Sequence, residues 1–316
     1  MCIRDSSRCI FSTRIAEYHP FKLYLEELPV WDGVDRLAAL ARRVSRDQLW
    51  VKEFHIWMRG MTAQWMGVTG SHANSVAPLL ISTEQGYLKS TFCKSLLPPA
   101  LQRYYMDKVD LTSQGHIERR LAEMGLLNLD EFDKYAPTKM PLLKNLMQMA
   151  SLSLCKAYQK NYRSLPRIAS FIGTSNRKDL LTDPTGSRRF ICVLVEYPID
   201  CEGIDYAQLY AQLKAEILAG EHYWFTKEEE TELQQSNMTF YRQGPVEDVL
   251  RSCYRAAEKG EGCELLSSAD IFQRLKKINP AAMRGANPAS LAQILIAVGI
   301  ERKHTKFGNV YRVVSV

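Results

Sequence analysis

Residues 79–99 read "LLISTEQGYLKSTFCKSLLPP", and the reading of this stretch decides the fold. A short apolar run, Pro78 to Ile81, leads into Gly86, then Lys89-Ser90, then a helical pattern that Pro98-Pro99 stops. A strand, a turn and a helix around a lysine form the arrangement in which backbone N–H groups and an ammonium cradle phosphates. The two glycines of the G-x-x-x-x-G-K-[ST] pattern are missing, with Thr83 and Leu88 in their places. Glycine there permits positive φ and a close approach of backbone to an anion. Leu88 is therefore expected to carry a backbone strain of roughly 1–3 kcal/mol, with Gly86 taking part of the turn. The stretch is either a nucleotide site of altered shape or an ordinary strand–helix turn.

Outward from it, short apolar runs alternate with helical patterns from residue 76 on, the sign of a parallel sheet. Strands are expected over Leu79–Ser82, Gly125–Leu129, Ile168–Thr174 and Phe190–Val195, and helices over Ser90–Leu97, His116–Met124 and Met140–Ala150. Residues 8–75 read as helical. "WVKEFHIWMRGMTAQWMG" in that region carries Trp50, Trp57, Met58, Met61, Trp65 and Met66, which at spacings of three and four read as a packed core face rather than a ligand pocket. After Asp205 the chain is helical again, with breaks at Gly220 and Gly244-Pro245. Near the end, Ser267-Ser268-Ala269-Asp270 can cap a helix running to Ile278. Pro288 opens another helix, and "ERKHTKFGNVYRVVSV" reads as a hairpin turning at Phe307-Gly308-Asn309. Helix, helix and basic hairpin outline a winged helix.

Composition bounds the function. The chain has 316 residues, 46% of them apolar, enough for one large domain or two modest ones. It offers no uninterrupted apolar run of membrane-spanning length and no secretory signal. Its eight cysteines form no C-x-x-C pair and its six histidines no H-x-x-x-H, so zinc is unsupported and free thiols in a reducing cytoplasm fit best. Residues 265–316 carry eight basic and two acidic groups, which accounts for the whole net charge of +6. The stretch before them is acidic at Glu228-Glu229-Glu230 and Glu232. A basic tail points to nucleic acid; a solvated basic face is the other reading. Met1 to Ser6 reads as a translated sequencing adaptor, so residues 1–7 are set aside as an artefact and the natural chain is expected to extend further N-terminally.

Four elements follow Ile81 in an order that suits phosphoryl transfer. Lys89-Ser90 comes first. Asp130-Glu131 stands directly after the apolar "GLLNL". Asn176 closes "IASFIGTSN", and Arg188-Arg189 lie in "DPTGSRRF". A lysine at a strand–helix turn reaches β/γ-phosphates, and the following hydroxyl can ligate Mg²⁺. An acid at a neighbouring strand's end supports the metal and a second acid polarises water. An amide can orient that water, and a guanidinium can neutralise developing charge, an effect of roughly 10³–10⁵ in rate.

"QGYLKSTF", "LLNLDEFDKY", "LPRIASFIGTSNRKDLLTDPTGSRRFICV" and "WDGVDRL" together resemble the virulence-associated protein E family, P-loop ATPases similar to superfamily 3 helicases from phages and integrated elements. The resemblance runs from about residue 29 to the end, and "GTSN…LTDPTGSRRF" is its most specific part. It implies an α/β fold with an AAA+-like P-loop NTPase core, a ring of identical subunits, and an attached primase-type module. Carried over, Lys89 and Ser90 match Walker A, Asp130 and Glu131 Walker B, Asn176 sensor 1, and Arg188 or Arg189 the arginine finger. Such motors also place a basic hairpin between Walker B and sensor 1. Here that stretch is "CKAYQKNYRSLPR" over 155–167, with Lys156, Lys160, Arg163 and Arg167 interleaved with Tyr158 and Tyr162, cations for phosphates and rings for bases.

The expected organisation is a helical region over 8–75, the P-loop core over 76–225, a helical connector over 226–264 and a winged-helix-like domain over 265–316. ATP and Mg²⁺ are expected at Gln85, Gly86, Lys89, Ser90, Thr91 and Asp130, with Ser90 and Asp130 on the metal. Glu131 activates water, Asn176 positions it, and Arg188 or Arg189 reaches the ATP of the adjacent subunit. Single- or double-stranded DNA is the expected partner, with no membrane. Two rivals stand beside this helicase-type ATPase: a DNA-binding scaffold with a decayed nucleotide site, and a small-molecule kinase.

Overall fold

The computed structural model describes residues 18–70, 72–112, 114–155, 162–181, 188–241, 244–258, 260–306 and 308–316; residues 1–7, read as an artefact, lie outside these. The chain folds as two compact units, one ending at Phe240 and the other beginning at Tyr241.

The first unit is mixed α/β around a parallel sheet. Its strands are β1 (Ala77–Ile81), β2 (Tyr105–Met106), β3 (Leu126–Leu129), β6 (Ser170–Ser175) and β7 (Phe190–Leu194), in the order β2-β3-β6-β1-β7. Every pairing in it is parallel. β1, β3 and β6 are buried along their whole length, and none alternates apolar with polar residues, although β3 carries Asn128 and β6 carries Ser170, Thr174 and Ser175. β6, late in sequence, lies between β1 and β3. Gly173 makes that fit: a Cβ there would come within 2.6 Å of Leu79 Cδ2 and 3.0 Å of the Leu129 carbonyl oxygen.

Helices α1 (Pro20–Glu26), α2 (Arg36–Arg42) and α3 (Gln48–Met66) form the helical region before the sheet. Asp35 and Asp47 cap α2 and α3 by accepting from backbone N–H groups of the first turn. Trp50, Trp57, Met58, Met61 and Trp65 are buried in the central core, as the spacing of three and four requires. α4 (Lys89–Ser95), α5 (Gln114–Glu123) and α6 (Met140–Gln148) follow the strands. After β7 come α7 (Tyr206–Leu218), which packs on α3, and α8 (Lys227–Ser236).

The expected connector over 226–264 is divided between the units. α8, with its Thr226 capping box and fully buried Leu233, belongs to the first. α9 (Pro245–Cys253) buries Val249 and Leu250 in the core of the second. The second unit continues with β8 (Tyr254–Ala256), β9 (Glu264–Ser267), α10 (Ser268–Ile278), α11 (Pro288–Ala297), β10 (Arg302–Thr305) and β11 (Gly308–Ser315). β11 pairs antiparallel with β10, β9 and β8 in turn. The Ser267 cap is as expected, with Asp270 returning the bond.

β4 (Ser151–Cys155) and β5 (Tyr162–Pro166) form the expected antiparallel hairpin between β3 and β6. Three residues separate β5 from the amino-terminal end of β6. Lys156, Tyr158 and Lys160 lie outside the described residues, and Tyr162 and Arg163 are placed on β5 by their backbone. Arg167 requires a correction. Expected among the DNA-contacting cations, it is 2% exposed. Its guanidinium donates to Leu146 O (3.0 Å), Met147 O (2.6 Å), Asn74 O (2.6 Å) and Gln64 Oε1 (2.6 Å). It ties the end of α6 to α3 and to the entry into β1. Burial pulls its pKa down to about 9, which leaves it charged at neutral pH. Arg167→Ala orphans four buried acceptors and is expected to cost about 3–5 kcal/mol in chemical denaturation, with Arg167→Lys recovering only part because it lacks the planar fork.

Glu53 of α3 is buried, with no partner for Oε1. Burial, and then the charge of Glu232, raise its pKa to about 8. An acid raised on folding holds its proton in the folded state where the unfolded chain has lost it. Stability therefore falls as pH rises from about 4.5 to about 8. Glu53→Gln is expected to remove most of that slope and to raise stability on the order of 2–3 kcal/mol at the alkaline end, read from urea midpoints across the window.

Candidate functional site

Three strand ends build the site. β1 runs into the loop over 82–88, where Ser82 Oγ donates to Glu84 O (3.2 Å) and accepts from Glu84 N–H (3.1 Å). Gly86 has φ 82° and Leu88 φ 59°, both left-handed. Leu88 thus takes the conformation for which the usual pattern reserves a glycine, and its side chain is 46% exposed. Gln85, Gly86, Ser90 and Thr91 face solvent around it.

Lys89, the first residue of α4, turns back under the loop. Its ammonium donates to Ser82 O (3.2 Å), Glu84 O (3.4 Å) and Asn176 Oδ1 (3.0 Å), three acceptors for three donors. Burial pulls its pKa below the ordinary value, opposed by the carboxylates of Asp130 and Asp133. Ser90 Oγ donates to Asp130 Oδ1 (3.0 Å). Thr174 Oγ1 donates to the same oxygen (2.6 Å) and accepts from Glu131 N–H (3.3 Å). Ser175 Oγ donates to Asp133 Oδ1 (2.8 Å). The end of β6 thus bridges the Lys89 loop on one side and the Asp130-Glu131 turn on the other.

Glu131 stands at φ 50°, and its carboxylate is paired with Lys134. Among the described residues, Leu88 and Glu131 are the non-glycine residues with positive φ, and both stand here. Side chains in that conformation cost about 1–2 kcal/mol and concentrate where geometry serves function.

Lys89, Ser90, Asp130, Glu131 and Asn176 are therefore brought together at these strand ends. Arg188 and Arg189 are not. They precede β7, whose first residue pairs in register with Ala77 at the start of β1, whereas Lys89 lies beyond its end. Five residues of strand, about 17 Å, separate the two ends. Arg188 pairs there with Glu230 (3.3 Å). Thr174, Ser175, Asp133 and Lys134 were missed. The signal for the first two was two hydroxyls ending an otherwise apolar strand, both buried, a placement that demands partners.

Asp130 and Ser90 place a carboxylate beside a hydroxyl, two oxygen ligands of the kind a hard cation takes. No group of three His, Cys, Asp or Glu among the described residues could hold a metal by itself. Mg²⁺, however, is ordinarily held by one or two carboxylates with waters and substrate phosphates, and Asp130 with Ser90 matches that requirement.

A parallel sheet with its candidate site at the carboxyl ends of the strands defines the class, an α/β protein of the kind that binds ligands beyond those ends. Residues 25–242 match the model of the virulence-associated protein E-like domain, and the chain belongs to that family. Residues 243–313 match a domain of unknown function from a B. theta gene description, DUF3874. No curated protein matches the chain. Among solved structures, the apo C terminal region of NrS-1 is similar at 13% identity over 93% of this chain and 78% of that one, with a TM-score of 0.48. Its A form gives 0.45 at the same identity and coverage.

Leu88 exposes much of its side chain and strains its backbone, so Leu88→Gly is expected to leave stability unchanged or raise it by up to about 1 kcal/mol. Chemical denaturation checks this; a clear loss would mean that the leucine side chain packs against more than the loop.

Proposed function

We propose that the chain is a helicase-type ATPase that acts on DNA during replication of a phage or mobile element. The observation that carries this reading is the meeting of Lys89, Ser90, Asp130, Glu131 and Asn176 at three adjacent strand ends. Family membership over residues 25–242 supports it, as does the charge of the second unit.

The chemistry follows from the groups present. The Lys89 ammonium exchanges Ser82 O and Glu84 O for phosphate oxygens. The loop at Gln85 and Gly86, and the first turn of α4 at Thr91, offer backbone to the same anion. Mg²⁺, held by Ser90 and Asp130, supplies charge neutralisation when bound. Glu131, released from Lys134, takes the proton of the attacking water, and Asn176 orients that water once Lys89 has turned away from its amide oxygen. Arg188 or Arg189 acts on the nucleotide of an adjacent subunit, since neither stands near the nucleotide of its own.

The hairpin of β4 and β5 is read as the element that follows single-stranded DNA. In the second unit, two capped helices followed by a hairpin with exposed Arg302 and Lys303 support a winged-helix-like module for duplex DNA. A primase-type partner module and cytoplasmic location complete the proposal. No described helix is long and apolar enough to cross a membrane.

ATP turnover with and without single-stranded DNA tests the reading. Wild type is expected to hydrolyse ATP faster with DNA. Lys89→Ala is expected to lose nucleotide binding, and Glu131→Gln to keep it while turnover falls roughly 10²–10³-fold. Mixing Lys89→Ala with the double variant Arg188→Ala/Arg189→Ala is expected to restore part of the activity that each lacks alone. DNA binding without any turnover would favour the scaffold, and turnover indifferent to DNA the small-molecule kinase.

A further inference from the structure

We propose that a cavity between α4 and the turn from Ile199 to Tyr206 receives the ribose and base of the nucleotide, with the Cys201 thiol in its wall. This rests on the reading of Lys89 as the phosphate-binding residue.

The reacting end of a nucleotide belongs where Lys89, Asp130 and Asn176 meet, on the β6 side of β1. β7 flanks β1 on the other side, and the chain leaving β7 forms the turn at 199–206. A cavity of about 460 Å³ opens there, walled on one side by Leu88 of the loop and by Thr91, Lys94 and Ser95 of α4; Leu88 and Thr91 bracket Lys89-Ser90. Its volume falls within the usual range for small-molecule sites, about 300–1,000 Å³.

The lining has the chemistry of a nucleoside site. Ile199 and Leu88 give apolar surface, and Tyr206 gives a ring pinned by its hydroxyl, which donates to Ser95 O (2.7 Å). Asp200 and Glu202 offer carboxylates that accept from ribose hydroxyls, and Gln102 offers an amide that both donates and accepts.

The wall is also fastened to the phosphate loop. Ile199 N–H donates to Tyr87 O (3.2 Å), and Cys201 Sγ lies 4.0 Å from Leu88 O. Movement of the loop around phosphate is thereby transmitted to the cavity, and a group bonded to the thiol would occupy the space of the sugar.

Thiol protection in the full chain tests this. The protein is alkylated with N-ethylmaleimide at mildly alkaline pH, because burial pushes the Cys201 thiol up, and labelling at each cysteine is followed by peptide mass spectrometry. Cys253 and Cys263 in the second unit serve as internal references. Magnesium ATP at ten times its Kd is expected to slow Cys201 labelling about tenfold and to leave the references unchanged. Adenosine alone is expected to protect Cys201, and inorganic triphosphate is not. If ATP binds, as measured by equilibrium dialysis, yet Cys201 reacts at its free rate, the cavity assignment is overturned and the phosphate site stands. If triphosphate protects as well as ATP, the cavity holds phosphate and the assignment is again overturned. If ATP does not bind and adenosine does not protect, both readings fail.

Discussion

The insertion of β6 between β1 and β3 is the constraint on which the site depends. Without it, the lysine after β1 and the acids after β3 would stand a full strand apart with nothing between them. With it, Thr174, Ser175 and Asn176 reach both ways, to Asp130 and Asp133 on one side and to Lys89 on the other. The strand can lie there because Gly173 has no side chain: the space for one is already taken by Leu79 and the backbone of Leu129. Two hydroxyls at the buried end of a strand are costly unless each finds a partner. Thr174 finds Asp130 and Ser175 finds Asp133, while Asn176, exposed just beyond the strand, accepts from Lys89.

The loop before α4 keeps left-handed backbone at a position where the usual pattern has a glycine. Gly86 and Leu88 both adopt positive φ, so the left-handed geometry is retained at position 88 with a residue that tolerates it poorly. The acid turn after β3 repeats the device at Glu131. Two strained residues, one on each side of β6, are held by a lattice of hydrogen bonds that includes the Lys89 ammonium and the Asp130 carboxylate. Strain of this kind persists only where the surroundings over-determine the backbone.

Much of this was legible in the sequence. Buried parallel strands are rich in apolar residues and do not alternate, so β1, β3, β6 and β7 could be placed, and with them Lys89, Asp130 and Asn176 beyond their ends. Strand order was not legible, because a run of apolar residues carries no record of its neighbours. Hence Thr174 and Ser175 passed unnoticed as links. Arg167 was misread for a related reason. It follows a stretch of cations and tyrosines that looks like a surface, and nothing local announces that three backbone carbonyls converge on its guanidinium. The division of residues 226–264 between two units likewise depends on which core takes Leu233 and which takes Val249 and Leu250, a matter of tertiary partners rather than of helical spacing.

Arg188 and Lys89 occupy opposite ends of one parallel sheet. For the guanidinium of one copy to reach the lysine loop of another, as proposed for Arg188, opposite ends of two neighbouring sheets must meet, a requirement that a head-to-tail repeat meets and that a two-fold pair meets as well if its sheets run antiparallel.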